Sequence, residues 1–277
     1  MLPLLDQART AFVASLHVWG VSFAIVTAIE LLAPRSRYPV GGRLHGLLFW
    51  TIWLAISSLT YALFRGIWAT IGVPPLVVLP TGARWAGPLA VVVAPILGAL
   101  VYDFFFYWCH RAQHRWLWRY HAVHHSIREM SAVNAWHHPV EPLLQVLLIA
   151  IPTSLIASEA APVVPVALML MQLQSQFIHS PTRWHFGPAA AVLVDNRFHR
   201  IHHSVEERHF DRNFGAFTTL WDRLFGTAWM PARDEWPDTG IAEVDQPRTL
   251  RDWVMLPAYY DRAVGRNVER PVAAQRI

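Results

Sequence analysis

The residues of this sequence most able to carry chemistry are its histidines, since twelve of the fifteen lie between His110 and His203. They form the boxes HRAQH at 110–114 and HAVHH at 121–125, and the second pattern recurs as HRIHH at 199–203. Helix positions i, i+3 and i+4 lie within a sector of roughly 100°. We therefore expect each box to direct two or three imidazoles at one centre, and the three boxes together predict a metal site.

Eight box histidines are more ligands than one metal ion usually takes from a protein, so the spacing predicts two ions. Imidazole suits iron, zinc, copper and nickel, whereas magnesium and calcium prefer oxygen ligands. The predicted ligands are His110, His114, His121, His124, His125, His199, His202 and His203.

Further polar residues could complete this site. His179 ends an apolar segment and is expected to be a ninth ligand. His138 precedes a proline, which disfavours helix, so it lies in a predicted loop and is a candidate ligand ahead of its neighbour His137. Metal-bound histidines usually donate their second N–H to a carboxylate or carbonyl. Candidate carboxylates for this role, each of which could instead pair with a nearby arginine, are Asp103, Glu129, Glu141 and Asp195.

The composition favours a membrane protein. Of the 277 residues 54% are hydrophobic and only 15% are charged, and the mean hydropathy is +0.27. The net charge of +4 does not argue for a nucleic-acid partner, because the arginines are scattered and flank apolar segments. A single cysteine, Cys109, excludes an intramolecular disulfide framework and a CxxC zinc site.

Apolar runs free of formal charge predict the membrane segments. Residues 10–29, 44–64 and 85–102 are each long enough to cross an apolar layer of ~30 Å, and the third run continues toward His110. Residues 143–178 form two apolar arms joined at a proline-rich bend, which are either two short spans or a re-entrant hairpin. In both cases the chain returns to the side it left, and the last histidine box meets the first two.

Arginine counting predicts the orientation. The linker between the first two predicted spans holds Arg35, Arg37 and Arg43, and positive residues mark the cytoplasmic side of a membrane. The third span then emerges into the cytoplasm with the first histidine box. We expect an integral protein of a bacterial inner membrane whose active site faces the cytoplasm.

These elements predict an all-α fold. It would be a bundle of about four transmembrane or re-entrant helical elements, with a cytoplasmic, histidine-rich helical cap. Residues 1–100 would hold the membrane spans up to the start of the third, residues 101–227 the catalytic domain, and residues 228–277 a charged cytoplasmic tail.

Residues 101–227 resemble the fatty acid hydroxylase and sterol desaturase superfamily of membrane di-iron oxygenases. The resemblance rests on DFFFYWCHRAQH, HAVHH, AWHHPVE, FIHS, RFHRIHHS and RNFGAFTTLWDRLFGT. It implies that the eight box histidines bind the metals and that His179 matches a further box histidine. The family's usual Thr-Pro before the last box is replaced here by Asp195-Asn196.

The resemblance also implies a reaction. Two irons and O2 would hydroxylate or desaturate an unactivated C–H bond of a lipid. The electrons would come from NAD(P)H through a separate ferredoxin- or cytochrome b5-like carrier. Aromatic residues 104–106, Trp108 and Trp136 could wall a substrate slot, or they could be ordinary packing.

Other classes of protein remain open at this stage. One is a structural zinc pair, which needs only four ligands per ion. A metal transporter would need polar residues within its spans, and the first three predicted spans are almost purely apolar. A membrane zinc hydrolase would want an HExxH motif or a carboxylate inside a box, and neither HxxHH box contains one.

Overall fold

The computed structural model describes residues 2–79, 90–158 and 164–268, and these residues are mostly helical. The first half contains α1 (Leu2–Leu32), α2 (Val40–Ile71), β1 (Val77–Leu79), α3 (Ala90–Trp116) and α4 (Trp118–His125). Next come α5 (Glu141–Gln145), a π-helical segment (Val146–Ala150), α6 (Ile151–Ser154), β2 (Ile156–Ser158) and α7 (Val164–Phe177). The remaining α-helices are α8 (Asn196–His202), α9 (Leu220–Leu224) and α10 (Leu250–Val268).

Two of the described helices, α1 and α2, are long and apolar enough to cross a membrane. Their most apolar windows have mean hydropathies of 1.9 and 1.7, and only 17% and 33% of the residues in those windows are buried. Such exposed apolar faces are costly in water and are satisfied in lipid. Both helices extend beyond the predicted spans 10–29 and 44–64 because the polar residues that flank each run continue the helix.

The third predicted span corresponds to α3. Its first residues, 85–89, lie outside the described residues. The helix continues through the apolar run to Trp116 and carries His110 and His114 at its C-terminal end, which is the position that the sequence predicted for the first box.

The predicted apolar hairpin at 143–178 is built from two short helical arms. One arm runs from Glu141 to Ser154 without a break, and α7, of the same length, has 14 residues. Each arm is about 21 Å long at 1.5 Å per residue, which is shorter than the ~30 Å apolar core of a bilayer. The bend at 159–163 lies outside the described residues.

A two-stranded parallel sheet departs from the all-α prediction. β1 pairs with β2, with Val77 opposite Ile156 and Leu79 opposite Ser158. The strand pair joins the linker after α2 to the end of the first hairpin arm. Extended backbone in apolar surroundings must pair its N–H and C=O groups. Here β1 and β2 pair these groups with each other.

The main apolar core lies where α1 and α2 meet α4, the loop 126–140 and α10. Trp19 on α1 packs against Trp50 on α2 with ring centroids 4.4 Å apart, and Phe49 stacks on Trp253 of α10 at 4.9 Å. Part of the predicted tail, 228–277, is therefore packed against the domain, and its residues 269–277 lie outside the described residues.

The linker between α1 and α2 lies at the histidine end of the molecule. The backbone N–H of Arg35 donates to the carbonyl of Pro181, and that of Arg183 donates to the carbonyl of Ala33. Glu30, buried at the end of α1, pairs with Arg43 at 2.5 Å. These contacts place the arginine-rich linker beside the loop that follows α7.

Candidate metal centre

The described residues contain two adjoining groups of histidines, in each of which the candidate ligand atoms all lie within 4.8 Å of one another. The first histidine group is His110, His114, His121, His125 and His202. The second histidine group is His124, His179, His199 and His203. Together these are the eight box histidines and His179, and ring centroids of His125 and His203 lie 4.5 Å apart across the two groups.

Each HxxHH box serves both groups, which differs from the sequence expectation of one centre per box. On α4, His121 and His125 belong to the first group and His124 to the second. In the last box the division is reversed, since His199 and His203 belong to the second group and His202 to the first. In each box, positions i and i+4 therefore face one group and position i+3 the other.

Backbone carbonyls orient four of the nine rings. A carbonyl oxygen can only accept a hydrogen bond, so a ring nitrogen paired with it carries the proton and leaves the other nitrogen with a free lone pair. The pairs are His110 Nδ1 with Phe214 O at 2.8 Å, His202 Nδ1 with Arg212 O at 2.7 Å, His179 Nδ1 with Ser175 O at 2.6 Å, and His124 Nδ1 with Trp136 O at 3.4 Å.

This pairing makes the inner nitrogens electron donors that face one another. The Nε2 atoms of His124 and His179 are 3.3 Å apart, and both rings carry their proton on Nδ1. Neither Nε2 can donate to the other, so their lone pairs repel unless a cation binds between them. Within the part of the chain that the structure describes, buried His202 Nε2 also has no hydrogen-bond partner. The arrangement fits metal ions bound through Nε2.

Burial keeps these imidazoles neutral, which is the form that binds a metal. Loss of hydration lowers the pKa of all six histidines of the two HxxHH boxes well below the usual value, and neighbouring imidazoles lower it further. The same loss of hydration lowers the pKa of His179 to about 4.

The segment 211–219, which we call the NFG loop, supplies two of the orienting carbonyls. Its backbone is held by two buried carboxylates. Asp222 accepts from the N–H groups of Phe214 and Gly215, both at 2.8 Å, and Asp103 accepts from the three consecutive N–H groups at 216–218. Gly215 is required here, because a Cβ at this position would lie 2.5 Å from the Thr218 carbonyl oxygen.

Three of the four predicted supporting carboxylates form contacts other than the predicted ones with histidine rings. Asp103 binds the backbone of the NFG loop instead. Asp195 is the N-cap of α8 and accepts from two N–H groups of its first turn, so it positions the last box through the helix. The carboxylate of Glu129 lies beside Gly42 of α2, where an added Cβ would be 2.5 Å from its Oε2.

Glu141 is the predicted carboxylate that does lie beside a histidine. Its Oε1 accepts from Gln113 and lies 3.7 Å from His137 Nδ1. His121, His137 and Glu141 also have ligand atoms within 4.8 Å of one another, so this trio adjoins the first histidine group through His121.

The two loop histidines occupy positions opposite to those expected. His138 lies outside both groups, because its Nε2 pairs with the Val254 carbonyl and its Nδ1 accepts from the Val140 N–H. His137 instead stacks on His124 with ring centroids 4.0 Å apart. A parallel stack places the His137 ring beside a ligand rather than pointing at the same centre.

Sequence reasoning missed the polar residues of the NFG loop and the helix after it. Asp211 Oδ1 lies 3.3 Å from His114 Nδ1, and this hydrogen bond lowers the pKa of Asp211. The Asn213 side chain donates to the carbonyls of Phe198 and Trp229. The signal was the stretch RNFGAFTTLWD, which carried the family resemblance without a stated role for each residue.

A cavity of about 230 Å³ opens between the helices and the histidine groups. One part of its wall is aromatic, and the other holds histidines of both groups together with His137. The aromatic wall includes Trp19, Trp50, Trp53, Tyr102, Phe106 and Phe217. Of the predicted wall residues, Phe106 lines the cavity, whereas Trp136 packs against Phe49 and Trp108 against Phe225.

The part of the chain that holds the histidine groups is similar in sequence to known proteins. Residues 95–227 match the family model for fatty acid hydroxylase. The chain is 31% identical over 164 residues to the ornithine lipid hydroxylase OlsE of Rhizobium tropici, covering 57% of this chain and 48% of that protein. It is 31% identical over 127 residues to the alkylglycerol monooxygenase of Homo sapiens, covering 45% and 28%.

A third relative is the very-long-chain aldehyde decarbonylase GL1-6 of Oryza sativa subsp. indica, which is 30% identical over 158 residues and covers 52% of this chain and 24% of that protein. The chain thus spans less than half the length of these curated relatives. No solved structure matches the chain significantly.

Proposed function

This chain belongs to the fatty acid hydroxylase and sterol desaturase superfamily, and from that premise we propose that it is a membrane-bound di-iron oxygenase. It hydroxylates, or desaturates, an unactivated C–H bond of a lipid with O2 and electrons supplied from outside. The observation that carries the proposal is the opposed pair of unprotonated nitrogens on His124 and His179, 3.3 Å apart. A metal ion bound to both nitrogens would relieve the repulsion between their lone pairs.

The two histidine groups would each hold one iron. Imidazole suits iron, and the first histidine group offers five rings, one more than the four ligands of a structural zinc ion. Bound there, the irons would supply reductive activation of O2 and an oxidant able to break a C–H bond.

The chain's own residues orient the ligands and exclude water. Carbonyls of Trp136, Phe214 and Ser175 fix which ring nitrogen faces inward, and the NFG loop is held in turn by Asp103 and Asp222. Burial of the nine histidines removes competing water. The aromatic part of the cavity wall binds the apolar substrate against the histidines, so that the C–H bond lies close to the metals.

The substrate is a lipid. Two of the relatives are named for a lipid hydroxylase and an alkylglycerol monooxygenase, and the cavity lies beside helices that are apolar enough for a membrane. We propose that α1, α2 and α3 span the bilayer, and that the two short arms of the hairpin form a re-entrant element.

The site faces the cytoplasm in this proposal, because the arginine-rich linker lies at the histidine end. The membrane is a bacterial inner membrane. The electrons come from NAD(P)H through a separate ferredoxin- or cytochrome b5-like protein that docks on the cytoplasmic side.

Metal analysis and lipid analysis test the proposal together. Purified protein is expected to contain two irons per chain rather than zinc. A host that expresses the gene is expected to gain lipids heavier by one oxygen or lighter by two hydrogens. His124→Ala should abolish both the second iron and the new lipids, whereas His17→Ala, in the exposed part of α1, should change neither.

Zinc in place of iron with hydrolysis of a lipid or peptide bond would favour a membrane hydrolase. Metal flux into liposomes would favour a transporter. Either result, or an unchanged lipid profile in the presence of two irons and a working electron donor, would contradict the oxygenase.

A further inference from the structure

Three glutamines on α7, in the stretch QLQSQ at 172–176, differ in how their amides are used. The Gln174 amide donates to the carbonyls of Val194 and Phe217, both at 2.8 Å, and so ties α7 to the segments around it. Gln172 and Gln176 are one turn apart on another face and line the cavity instead. Their amides therefore face the substrate space and not the protein.

Gln176 is buried, with 2% of its surface exposed. Neither its Nε2 nor its Oε1 has a hydrogen-bond partner among the described residues. The Nε2 of Gln172 is likewise buried without a partner there. Buried amides almost always find partners, because leaving them unpaired is costly. A molecule that occupies the cavity can supply the missing partner.

The position of these amides relative to the histidines limits where that partner lies. Gln176 is three residues before His179 and Gln172 is seven before it, which corresponds to roughly 5–10 Å along a helix. The cavity wall that they share also holds His199. A polar group bound by Gln176 would therefore lie within a few bonds of the carbon presented to the second histidine group.

The lining also limits the charge of that group. None of the described residues that line the cavity is an arginine, aspartate or glutamate. An ionised head group beside these amides would have no charged side chain of the lining as counter-ion, and an anion would bind the metal ions of the proposed site rather than the amides. A carboxamide offers two N–H donors and one acceptor oxygen, so its complement is an uncharged group that both donates and accepts.

We propose that Gln176, assisted by Gln172, is a specificity-determining residue that binds an uncharged donor–acceptor group of the lipid, such as a secondary amide or a hydroxyl. The Gln176 Oε1 accepts from the lipid N–H or O–H, and its Nε2 donates to the lipid oxygen. The oxidised carbon then lies near this polar group rather than at the distant end of an acyl chain. The inference rests on the proposed function for the oxidation, but the binding preference can be measured without turnover.

Matched lipid probes test the preference directly. N-methyldodecanamide and methyl dodecanoate differ by one N–H donor, and dodecan-1-ol and its methyl ether differ by one O–H donor. Binding to the purified, metal-loaded protein in detergent is measured under anaerobic conditions. The tryptophans of the cavity wall, Trp19, Trp50 and Trp53, serve as fluorescent reporters of binding.

Wild-type protein is expected to bind at least one donor-bearing probe about tenfold tighter than its matched partner. The pair that shows this difference in affinity identifies whether the lipid group bound by Gln176 is an amide or a hydroxyl. Gln176→Leu is expected to bind the two members of that pair about equally, with unchanged iron content. Gln176→Met, which is unbranched like glutamine, gives the same measurement if the leucine variant does not fold.

Gln174→Leu is the matched control on the same helix. It should lower the melting temperature, because the carbonyls of Val194 and Phe217 lose their donor, while the binding preference stays at the wild-type value. No preference in the wild type, or the same preference in the Gln176 variants, would overturn the inference. A preserved preference in a protein that contains zinc, or that oxidises no lipid, would instead overturn the oxygenase and leave the binding assignment standing.

Discussion

The tautomer of each histidine is the most informative property of the site at the scale of single residues. The second ring nitrogen of His110, His124, His179 or His202 pairs with a backbone carbonyl, which has no proton to give. The protonation of each ring is therefore fixed by the main chain, and the inner nitrogens stay available at neutral pH. A set of histidines gathered only for packing would have no reason to share this pattern.

His179 and His138 form a direct comparison between a ring that the structure brings into a group and one that it leaves outside. We expect His179→Ala to reduce the iron content from two toward one per chain and to lower lipid oxidation at least about a hundredfold. We expect His138→Ala to keep both irons and to cost about 1–3 kcal/mol of stability, because it loses the hydrogen bonds to the Val254 carbonyl and from the Val140 N–H.

Metal analysis and thermal unfolding of the two purified variants measure these effects. Loss of iron in the His138 variant together with retention in the His179 variant would reverse the assignment of the two residues. The Ser175 carbonyl that orients the His179 ring would then have no role in metal binding.

At the scale of elements, the NFG loop acts as a support for the ligands although it contributes no ring. We expect Asp222→Asn to weaken iron binding about tenfold to a hundredfold, because one of the two oxygens that fix the N–H groups of Phe214 and Gly215 is replaced by a donor. All nine rings remain, so competition with a chelator, rather than the initial iron content, is the measurement that detects the change.

Asp245→Asn is the control for this substitution, since the Asp245 side chain is 91% exposed and pairs only with Arg128 at the surface. Equal iron affinity in the two variants would contradict a supporting role for the loop.

Helix spacing predicts that the eight box histidines converge, and the position of His179 at the end of an apolar segment adds a ninth ring. The structure gathers all nine, but their division into two groups depends on tertiary contacts. The i, i+3 and i+4 spacing of the histidines in HAVHH and HRIHH predicts which of them share a helix face. The division of each box between the two histidine groups depends on how α4 and α8 are placed relative to each other. The structure leaves His138 outside both histidine groups because both of its ring nitrogens pair with backbone groups. One of these belongs to Val254, more than a hundred residues away, and no local pattern reports such a contact.

α10 is the element that closes the domain over the loop 126–140. Trp253 is almost completely buried, stacks on Phe49 and donates from Nε1 to the His137 carbonyl at 2.8 Å. We expect Trp253→Ala to destabilise the protein by about 3–5 kcal/mol and to release the loop that holds His137. The melting temperature is the readout.

Val254→Ala, next in sequence, truncates a side chain that is 49% exposed and retains the carbonyl that His138 uses. Its melting temperature should stay near that of the wild type. A similar loss in both variants would mean that α10 is generally unstable rather than held by Trp253.

At the scale of the whole molecule, the two ends of the helical bundle differ in chemistry. The end formed by the α1–α2 linker carries arginines and adjoins the histidine groups through the contacts of residues 33–35 with 181–183. The opposite end is formed by the β1–β2 pair, where apolar side chains such as Leu76 are exposed. The 32 residues of α2 separate the ends by about 48 Å, which exceeds the thickness of a bilayer core.

This geometry predicts opposite accessibility for two single cysteines introduced in a Cys109→Ser background. Arg37→Cys, at the exposed histidine end, should react with a membrane-impermeant maleimide only in permeabilised cells, because positive residues stay in the cytoplasm. Leu76→Cys should react in intact spheroplasts. Labelling of both positions from the same side would mean that α2 does not cross the bilayer, and the reverse pattern would place the histidines outside, away from cytoplasmic NAD(P)H.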